Sequence, residues 1–531
     1  MVDYSLYLVT GRELLPQGKD YLVSLEESLQ GGVTIVQVRE KHIDTLEFLE
    51  IAQKTKLLCN KYNVPLIIND RIDIALAVQA DGVHLGQTDM PIHIARSLLP
   101  PGTILGVSCN TKEHVQKAIS DGADYVGIGA VWGTSTKQLT SPVIGVRGVG
   151  QILKTLDGTN VKGSFIGGIK SANALRTLHG SVSTTGHVLD GIAVVSDIVA
   201  STTPFHAAQN LSSILGAFNR NITLRVDQRY DATSSHIIDK IKNGVCNLMQ
   251  TIKKTSPLIH QITNVVVTNQ SANATLALGA SPIMATAPEE MYDLSLAIGA
   301  LLINFGTVKD KEGMILAGQF ANASQKPVVF DPVGVGATQF RKRTAAELLN
   351  TWQASVIKGN AAELGALADS KEVQAKGVDS VGGGFLDPAG FVKELAKKER
   401  CVIVLTGKTD WISDGTTVVK LDNGHEILGD ITGSGCLVGT CVAVFCGGAW
   451  AEAVSHEGNG ALNQDPSGQL VKGDMLLGAI SGVLALTIAA ELAVERSDVH
   501  GSGTFLPALI DELYHLTPQE IIEKAKIEVV S

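Results

Sequence analysis

In the stretch TIVQVREKHID, Gln37, Arg39 and Lys41 alternate with Val36 and Val38 at a period of two. One face of an apolar β-strand therefore carries three long polar side chains. Burying unpaired charge in an ordinary core costs several kcal/mol per ion, about the effective penalty in real proteins. Either the strand lies at the surface, or this face looks into a polar pocket. Two carboxylates occupy dense polar settings further on, Asp70 in NDRID and Asp89 in HLGQTD. At neighbouring strand ends such a pair can hold one Mg²⁺ that keeps several waters and bridges phosphate oxygens. Taken singly, each is also an ordinary turn former or helix cap. The segment GTSTK (133–137) offers hydroxyls, backbone N–H groups and a cation, a set that wraps a phosphate monoester. Gly167 and Gly168 in FIGGI would admit a phosphate close to backbone amides, although a tight turn explains two glycines equally well.

A second cluster lies late in the chain. DITGSGC (430–436) leads into an uncharged segment. A Gly-rich turn feeding a helix presents free N–H groups and a positive dipole end to an anion. A plain turn with an N-cap fits the same residues. The stretch contains neither GxxxxGK[ST] nor GxGxxG.

Positioning these groups requires a scaffold. Eight short apolar runs recur in the first 200 residues: LYLVT (6–10), TIVQVRE (34–40), PLIIND (65–70), GVHLG (82–86), TILGVS (103–108), YVGIGA (125–130), FIGGI (165–169) and GIAVVS (191–196). Segments with helical spacing, such as HVQKAISDGA, separate most of them. Strand and helix alternating eight times predict a (β/α)₈ TIM barrel, in which chemistry belongs at the carboxyl ends of the strands. The polar residues fall there: Gln37, Arg39 and Lys41 after the second run, Asn69 and Asp70 after the third, His84, Gln87 and Asp89 after the fourth. Ser108 ends the fifth, and Thr134, Thr136 and Lys137 follow the sixth. The polar face of TIVQVREKHID is thus expected to point into the barrel mouth.

Between about 210 and 240 the pattern loosens, which places a domain boundary there and gives domains of 1–225 and 240–531. Beyond it, ALLINFG (300–306), PVVFDPVG (327–334), ASVIKGN (354–360) and CVIVLTG (401–407) each end in Asn, Gly, Asp or Thr, as ligand-facing ends of parallel strands often do. Fewer strands over more residues predict an open, doubly wound α/β sheet.

The 531 residues, 44% hydrophobic and 18% charged, suffice for two large cores. A net charge of −10 without a basic block argues against nucleic acid as a partner. The seven cysteines form no CxxC pair and read as reduced, mostly buried thiols. Residues 431–451 carry no charge but hold five glycines, which favours a buried helix over a membrane span. The N-terminal stretch lacks a secretory pattern, so a cytoplasmic protein without a membrane partner is expected.

Taken in order, QVREK, NDRID, HLGQTD, GVS, TSTK, GGI and VVS resemble thiamine-phosphate synthase over residues 5–200. That family joins hydroxymethylpyrimidine diphosphate to a thiazole phosphate and releases diphosphate. The resemblance implies that Gln37, Val38, Arg39, Glu40, Lys41, Asn69, Ser108 and Lys137 meet the pyrimidine diphosphate. It implies that Asp70 and Asp89 bind Mg²⁺, and that Thr134, Ser135, Thr136, Gly168, Val195 and Ser196 take the thiazole phosphate. DPVGVGA, KGNAAE, TG (406–407) and TGSGC resemble the ribokinase-like kinases, and HQITNVVVTNQSANATLALGASPIMA (260–285) narrows the likeness to hydroxyethylthiazole kinase, over 240–525. This implies ATP and hydroxyethylthiazole as substrates. Cys436 would act as the base, its pKa lowered by the helix N-terminus. Met284 and Gly433 would lie at the thiazole, Lys358 and Thr406 at the nucleotide, and Asp331 and Glu363 near Mg²⁺. Many family members carry Arg where this chain has Lys358, which leaves one donor group instead of a fork. The resemblance also implies a homo-oligomer with a trimeric kinase core. A bifunctional enzyme of thiamine biosynthesis follows, the kinase making what the barrel consumes. The rivals are a thiazole tautomerase barrel, disfavoured because it has no diphosphate to hold, and a ligand sensor, disfavoured by intact motifs in both halves.

Overall fold

Strands β1 (Leu6–Val9), β2 (Ile35–Val38), β3 (Leu66–Asn69), β4 (Gly82–Leu85), β5 (Ile104–Cys109), β6 (Tyr125–Ile128), β7 (Lys162–Ile166) and β8 (Gly191–Val194) close a barrel in chain order, every pair parallel. The computed structural model describes residues 2–134, 136, 141–227, 234–370, 372, 374–376, 379–381, 384–457 and 468–530, so Ser135 and Lys137 lie outside the described residues. The chain forms two compact units that change over between Asp227 and Ser234.

Alternation along each strand builds the barrel. Leu8, Val36, Val38, Ile68, Val83, Val107 and Phe165 point outward into the layer beneath the helices, while Tyr7, Val9, Ile35, Ile67, Tyr125 and Ala193 fill the inside. Helix Thr45–Lys61 contributes Phe48, Ala52, Thr55 and Cys59, one buried stripe at helical spacing. Burying Phe48 is worth about 1.5–3 kcal/mol. One interior contact needs glycine: a Cβ on Gly106 would meet Cζ of Tyr125 at 2.0 Å, so the Tyr125 ring crosses the barrel only over a bare backbone.

The second unit holds strands β9 (Leu258–Ile262), β10 (Ser281–Ile283), β11 (Ala300–Asn304), β12 (Val328–Asp331), β13 (Val356–Asn360), β16 (Val402–Thr406), β17 (Asp410–Ser413), β18 (Val418–Leu421) and β19 (Ile527–Val530). They form one nine-stranded sheet of order β10-β9-β11-β12-β13-β16-β17-β18-β19. A separate antiparallel ribbon pairs β14 (Gln374–Lys376) with β15 (Asp379–Val381). Strands β9 to β13 and β16 run parallel, and β17, β18 and β19 extend the sheet antiparallel. Leu302, Val329, Val356 and Val404 face one helical layer, and Leu301, Ile303, Phe330 and Ile357 face the other. This is the doubly wound form, with an antiparallel edge that the parallel-strand signature did not predict.

Two further differences emerge. Residues 210–240, read as losing their period, are helical on both sides, in Pro204–Asp227 and Ser234–Thr255. Polar residues such as Asn219, Arg220 and Asn221 interrupt the apolar stripe and hid the helix. The uncharged segment is helix Ser434–Glu457, and a second apolar helix, Met475–Glu495, was not singled out by sequence. Both are long and apolar enough to cross a membrane, yet 72% and 78% of their apolar windows are buried inside the fold.

Candidate active sites

At the mouth of the barrel, backbone hydrogen bonds fix the ends of the first strands: the Thr10 N–H donates to the Gln37 carbonyl (2.9 Å), and the Arg39 N–H donates to Thr10 Oγ1 (3.0 Å). Lys41 Nζ donates to Asp70 Oδ2. Asp70 itself adopts φ +60°, a left-handed conformation that Asp, like Asn and Gly, takes more readily than other residues. Its N–H is held by the His84 carbonyl at 2.9 Å. Burial pushes the Asp89 carboxyl up, and the adjoining Asp70 carboxyl adds to the shift, against the opposing Gly86 N–H and Lys41. Two carboxylates this close repel each other, and a divalent cation relieves that repulsion, so the donor set fits Mg²⁺. Asn69 is 6% exposed, and its Nδ2 has no partner among the described residues. A buried donor left unpaired costs about 1–3 kcal/mol, which a ligand acceptor would recover.

Inside the barrel, Tyr7 and Tyr125, which sequence reading missed, link three residues that it singled out. Gln37 Nε2 donates to Tyr7 Oη (2.7 Å), Tyr7 Oη meets Tyr125 Oη (2.7 Å), and Tyr125 Oη meets His84 Nδ1 (2.9 Å). His84 Nε2 meets Ser108 Oγ (2.9 Å). Burial keeps both phenols neutral by pushing their pKa values up.

On the opposite rim, Thr134 Oγ1 and Thr136 Oγ1 lie 2.8 Å apart. Gly167 and Gly168 both have positive φ, +99° and +65°, and a Cβ on Gly168 would meet the Gly133 carbonyl at 2.4 Å. The two glycines are thus required by the turn. Val195 and Ser196 lead from β8 into helix Ser196–Val199. Two candidates turn away from the mouth. Val38 packs its side chain in the outer layer, and Glu40 accepts from Arg12 Nε at 2.7 Å, so each can offer a ligand only its backbone.

In the second unit, polar residues gather at the carboxyl ends of β9, β11, β12 and β13. Asn264 Nδ2 donates to Asn304 Oδ1 (3.0 Å) and to Cys436 Sγ (3.5 Å), and Asn304 Nδ2 donates to Asp331 Oδ2 (2.9 Å). Lys358 Nζ reaches Asp331 Oδ1 at 3.2 Å. Asn264 and Asn304 were not predicted; their strand-end positions, in HQITN and LINFG, were the available signal. Gly433, at φ +83°, could not carry a Cβ, which would meet Val267 Cγ1 at 2.3 Å. A Cβ on Gly435 would lie 3.2 Å from Lys358 Nζ, so the anion-type turn and the lysine face each other. His260 Nε2 donates to the Ala285 carbonyl at 2.8 Å and steadies the backbone beside Met284. Thr406 ends β16 opposite Asn360, and the Gly407 N–H donates to the buried Asp410 at 3.0 Å.

Two expectations change here. Burial, then the Asp331 carboxylate, push the Cys436 thiol up, outweighing Lys358 and the two asparagines, so the thiolate predicted from the helix N-terminus is not favoured. Glu363 accepts the Gly334 N–H on Oε1 (3.0 Å) and the Asn360 N–H on Oε2 (2.9 Å), fixing two loops in place of an open metal ligand.

A thiamine monophosphate synthase family model matches residues 6–198, and a hydroxyethylthiazole kinase family model matches residues 249–459. The chain is 39% identical to the probable thiamine biosynthetic bifunctional enzyme of Schizosaccharomyces pombe, covering 99% of each chain. It is 37% identical to the thiamine biosynthetic bifunctional enzyme of Saccharomyces cerevisiae, over 98% of this chain and 97% of that one. The chain belongs to the thiamine biosynthetic bifunctional enzymes. Its second unit is also 39% identical to the hydroxyethylthiazole kinase of Roseiflexus sp., covering 98% of that protein. The barrel of this bifunctional enzyme is its thiamine-phosphate synthase, and the doubly wound unit is its kinase, for which ATP is a substrate.

Proposed function

We propose that the synthase holds hydroxymethylpyrimidine diphosphate on Gln37, Arg39, Lys41, Asn69 and Ser108, with Lys137 completing the cationic rim. Val38 and Glu40 contribute backbone. Thiazole phosphate, on this reading, lies against Thr134, Ser135, Thr136, Gly168, Val195 and Ser196. Asp70 and Asp89 would hold Mg²⁺, which supplies charge neutralisation for the departing diphosphate. The observation that carries the reading is the unpaired, buried Asn69 donor beside the Lys41–Asp70–Asp89 cluster.

The aminopyrimidine can stabilise a positive methylene. The methylene–oxygen bond then breaks with its electron pair leaving on diphosphate, and the thiazole nitrogen lone pair forms the new bond. Arg39, Lys41 and Lys137 stabilise the leaving charge, and the site must keep water from capturing the cation. In the kinase, the substrate hydroxyl attacks the γ-phosphate of ATP beside Gly433 and Met284, with Lys358 and Thr406 toward the nucleotide. A thiol held protonated by burial is a weak base, so positioning and charge neutralisation carry most of the reaction and Cys436 a smaller share. The domain limits of 1–225 and 240–531, a homo-oligomer with a trimeric kinase core, and a cytoplasmic setting complete the proposal.

The test supplies full-length protein with Mg²⁺, pyrimidine diphosphate and ready-made thiazole phosphate, without ATP. Wild type should form thiamine phosphate, and Arg39→Ala and Asp89→Asn should lose it. Unchanged turnover in both variants would refute the assigned residues.

A further inference from the structure

The buried chain Gln37–Tyr7–Tyr125–His84–Ser108 joins two groups assigned above to the pyrimidine through three side chains that no ligand need touch. The rings pack at a tilt around Tyr125, with centroids 5.8 Å from Tyr7 and 5.5 Å from His84. Each phenol owns one hydrogen, and a neutral imidazole owns one, so the direction of one bond sets the next. The Gln37 amide nitrogen sits on Tyr7 and donates. Tyr7 must then donate to Tyr125, or its own buried hydrogen has no acceptor in the chain. Tyr125 in turn donates to His84 Nδ1, which leaves the His84 proton on Nε2, directed at Ser108 Oγ. The Ser108 hydroxyl hydrogen is left to point at the ligand, while Gln37 offers its carbonyl oxygen. The opposite polarity requires turning the amide and moving every hydrogen in the chain at once. Any mixed state strands a buried phenolic hydrogen without an acceptor.

We propose that Tyr7, Tyr125 and His84 are positioning and specificity-determining residues: their chain fixes which way the Gln37 amide faces and turns the Ser108 hydroxyl hydrogen toward the ligand, so that the synthase favours an amino- over an oxo-pyrimidine. An amino-pyrimidine presents an N–H beside a ring nitrogen, which complements this pair. An oxo-pyrimidine presents a carbonyl beside an N–H, which sets its oxygen against the Gln37 carbonyl oxygen and leaves the Ser108 hydroxyl hydrogen without a ring-nitrogen acceptor. This rests on the reading that Gln37 and Ser108 face the pyrimidine.

The experiment measures binding of two diphosphates to the full chain by calorimetry with Mg²⁺ and no thiazole phosphate. One is the amino substrate, and the other is its deaminated oxo analogue. Wild type should bind the amino form at least about tenfold more tightly, the equivalent of one mismatched hydrogen bond. Tyr125→Phe cuts the chain in the middle and should bring the ratio within about twofold, with kinase activity of the same chain unchanged. Tyr7→Phe, which frees the Gln37 amide, should do likewise and serves if Tyr125→Phe fails to fold. Equal wild-type affinities, or an undiminished ratio in a folded Tyr→Phe variant, would overturn the proposal. Gln37→Ala separates the two ideas: unchanged affinity for both ligands there would overturn the site assignment itself, whereas weakened binding with intact Tyr→Phe discrimination would overturn only the polarity lock.

Discussion

Lys358 Nζ lies 3.2 Å from Asp331 Oδ1, with the two side chains only 4% and 0% exposed. Burial alone would lower the lysine, but the Asp331 and Glu363 carboxylates, with Cys436, together outweigh it and hold Lys358 charged. Asp331 is pushed up by burial to about 6 in spite of Lys358. Removing one partner of such a pair costs on the order of 3–5 kcal/mol. Lys358→Met is therefore expected to lower the melting temperature of the kinase unit by roughly 10 °C at pH 8. At pH 5 the loss should be smaller, because the stranded carboxyl can take up a proton. Scanning calorimetry at both pH values decides it; equal losses would count against an ionised pair.

Cys436 accepts from Asn264 while its thiol is held up by burial. Cys436→Ala should slow the kinase by roughly 100-fold, the lower end for losing a proton-transfer group, and leave synthase turnover unchanged. Wild-type kinase rate should climb on the alkaline side as the thiolate forms, and the variant should lack that climb. Superimposable pH–rate profiles would mean that the thiol takes no part in proton transfer.

At Gly168 the φ of +65° and the 2.4 Å that would separate an added Cβ from the Gly133 carbonyl leave no room for a side chain. Gly168→Ala should raise the synthase KM for thiazole phosphate at least about tenfold, as expected for one lost charge-assisted hydrogen bond. The kinase should be untouched. Steady-state kinetics with each substrate varied in turn checks this, and an unchanged KM would remove Gly168 from the phosphate site.

Burial pushes the Asp410 carboxyl up to about 7, against the Gly407 N–H that it accepts. An ordinary aspartate in the unfolded chain ionises near about 4. Between those values the native state binds a proton that the unfolded state has released, so this group's contribution to stability falls as pH rises from about 4 to 7. The full effect is a few kcal/mol. Asp410→Asn retains an acceptor for Gly407 and should flatten that part of the curve, making the variant relatively more stable at pH 8 than at pH 4. Urea melts of both proteins across this range test the sign.

Much of this architecture was legible because barrels announce themselves by repetition. Each of the eight apolar runs overlaps its strand, although the seventh strand begins at Lys162 and leaves most of FIGGI in a turn. The polar residues at strand ends were legible for the same reason, since topology carries them to one rim. The interior chain was not. Tyr7 and Tyr125 look like ordinary members of apolar runs, and they are 118 residues apart in sequence. Only closure of the barrel brings them together, and the glycine opposite Tyr125 reads as a simple strand residue until the ring is in place. Asn264 and Asn304 were hidden similarly, each being one polar residue closing an apolar strand. The antiparallel edge escaped because its strands are short and its last member lies far along the chain.

That last strand has a consequence for how the protein is made. β19 pairs with β18, Val418 opposite Val530 and Leu421 opposite Ile527. The ribosome therefore delivers the parallel centre of the kinase sheet first and leaves the edge of β18 bare until the region around Ile527 emerges. Until then the unpaired N–H and C=O groups of Val418 to Leu421 form an adhesive edge. The nascent chain passes through a vulnerable interval that the finished enzyme no longer shows.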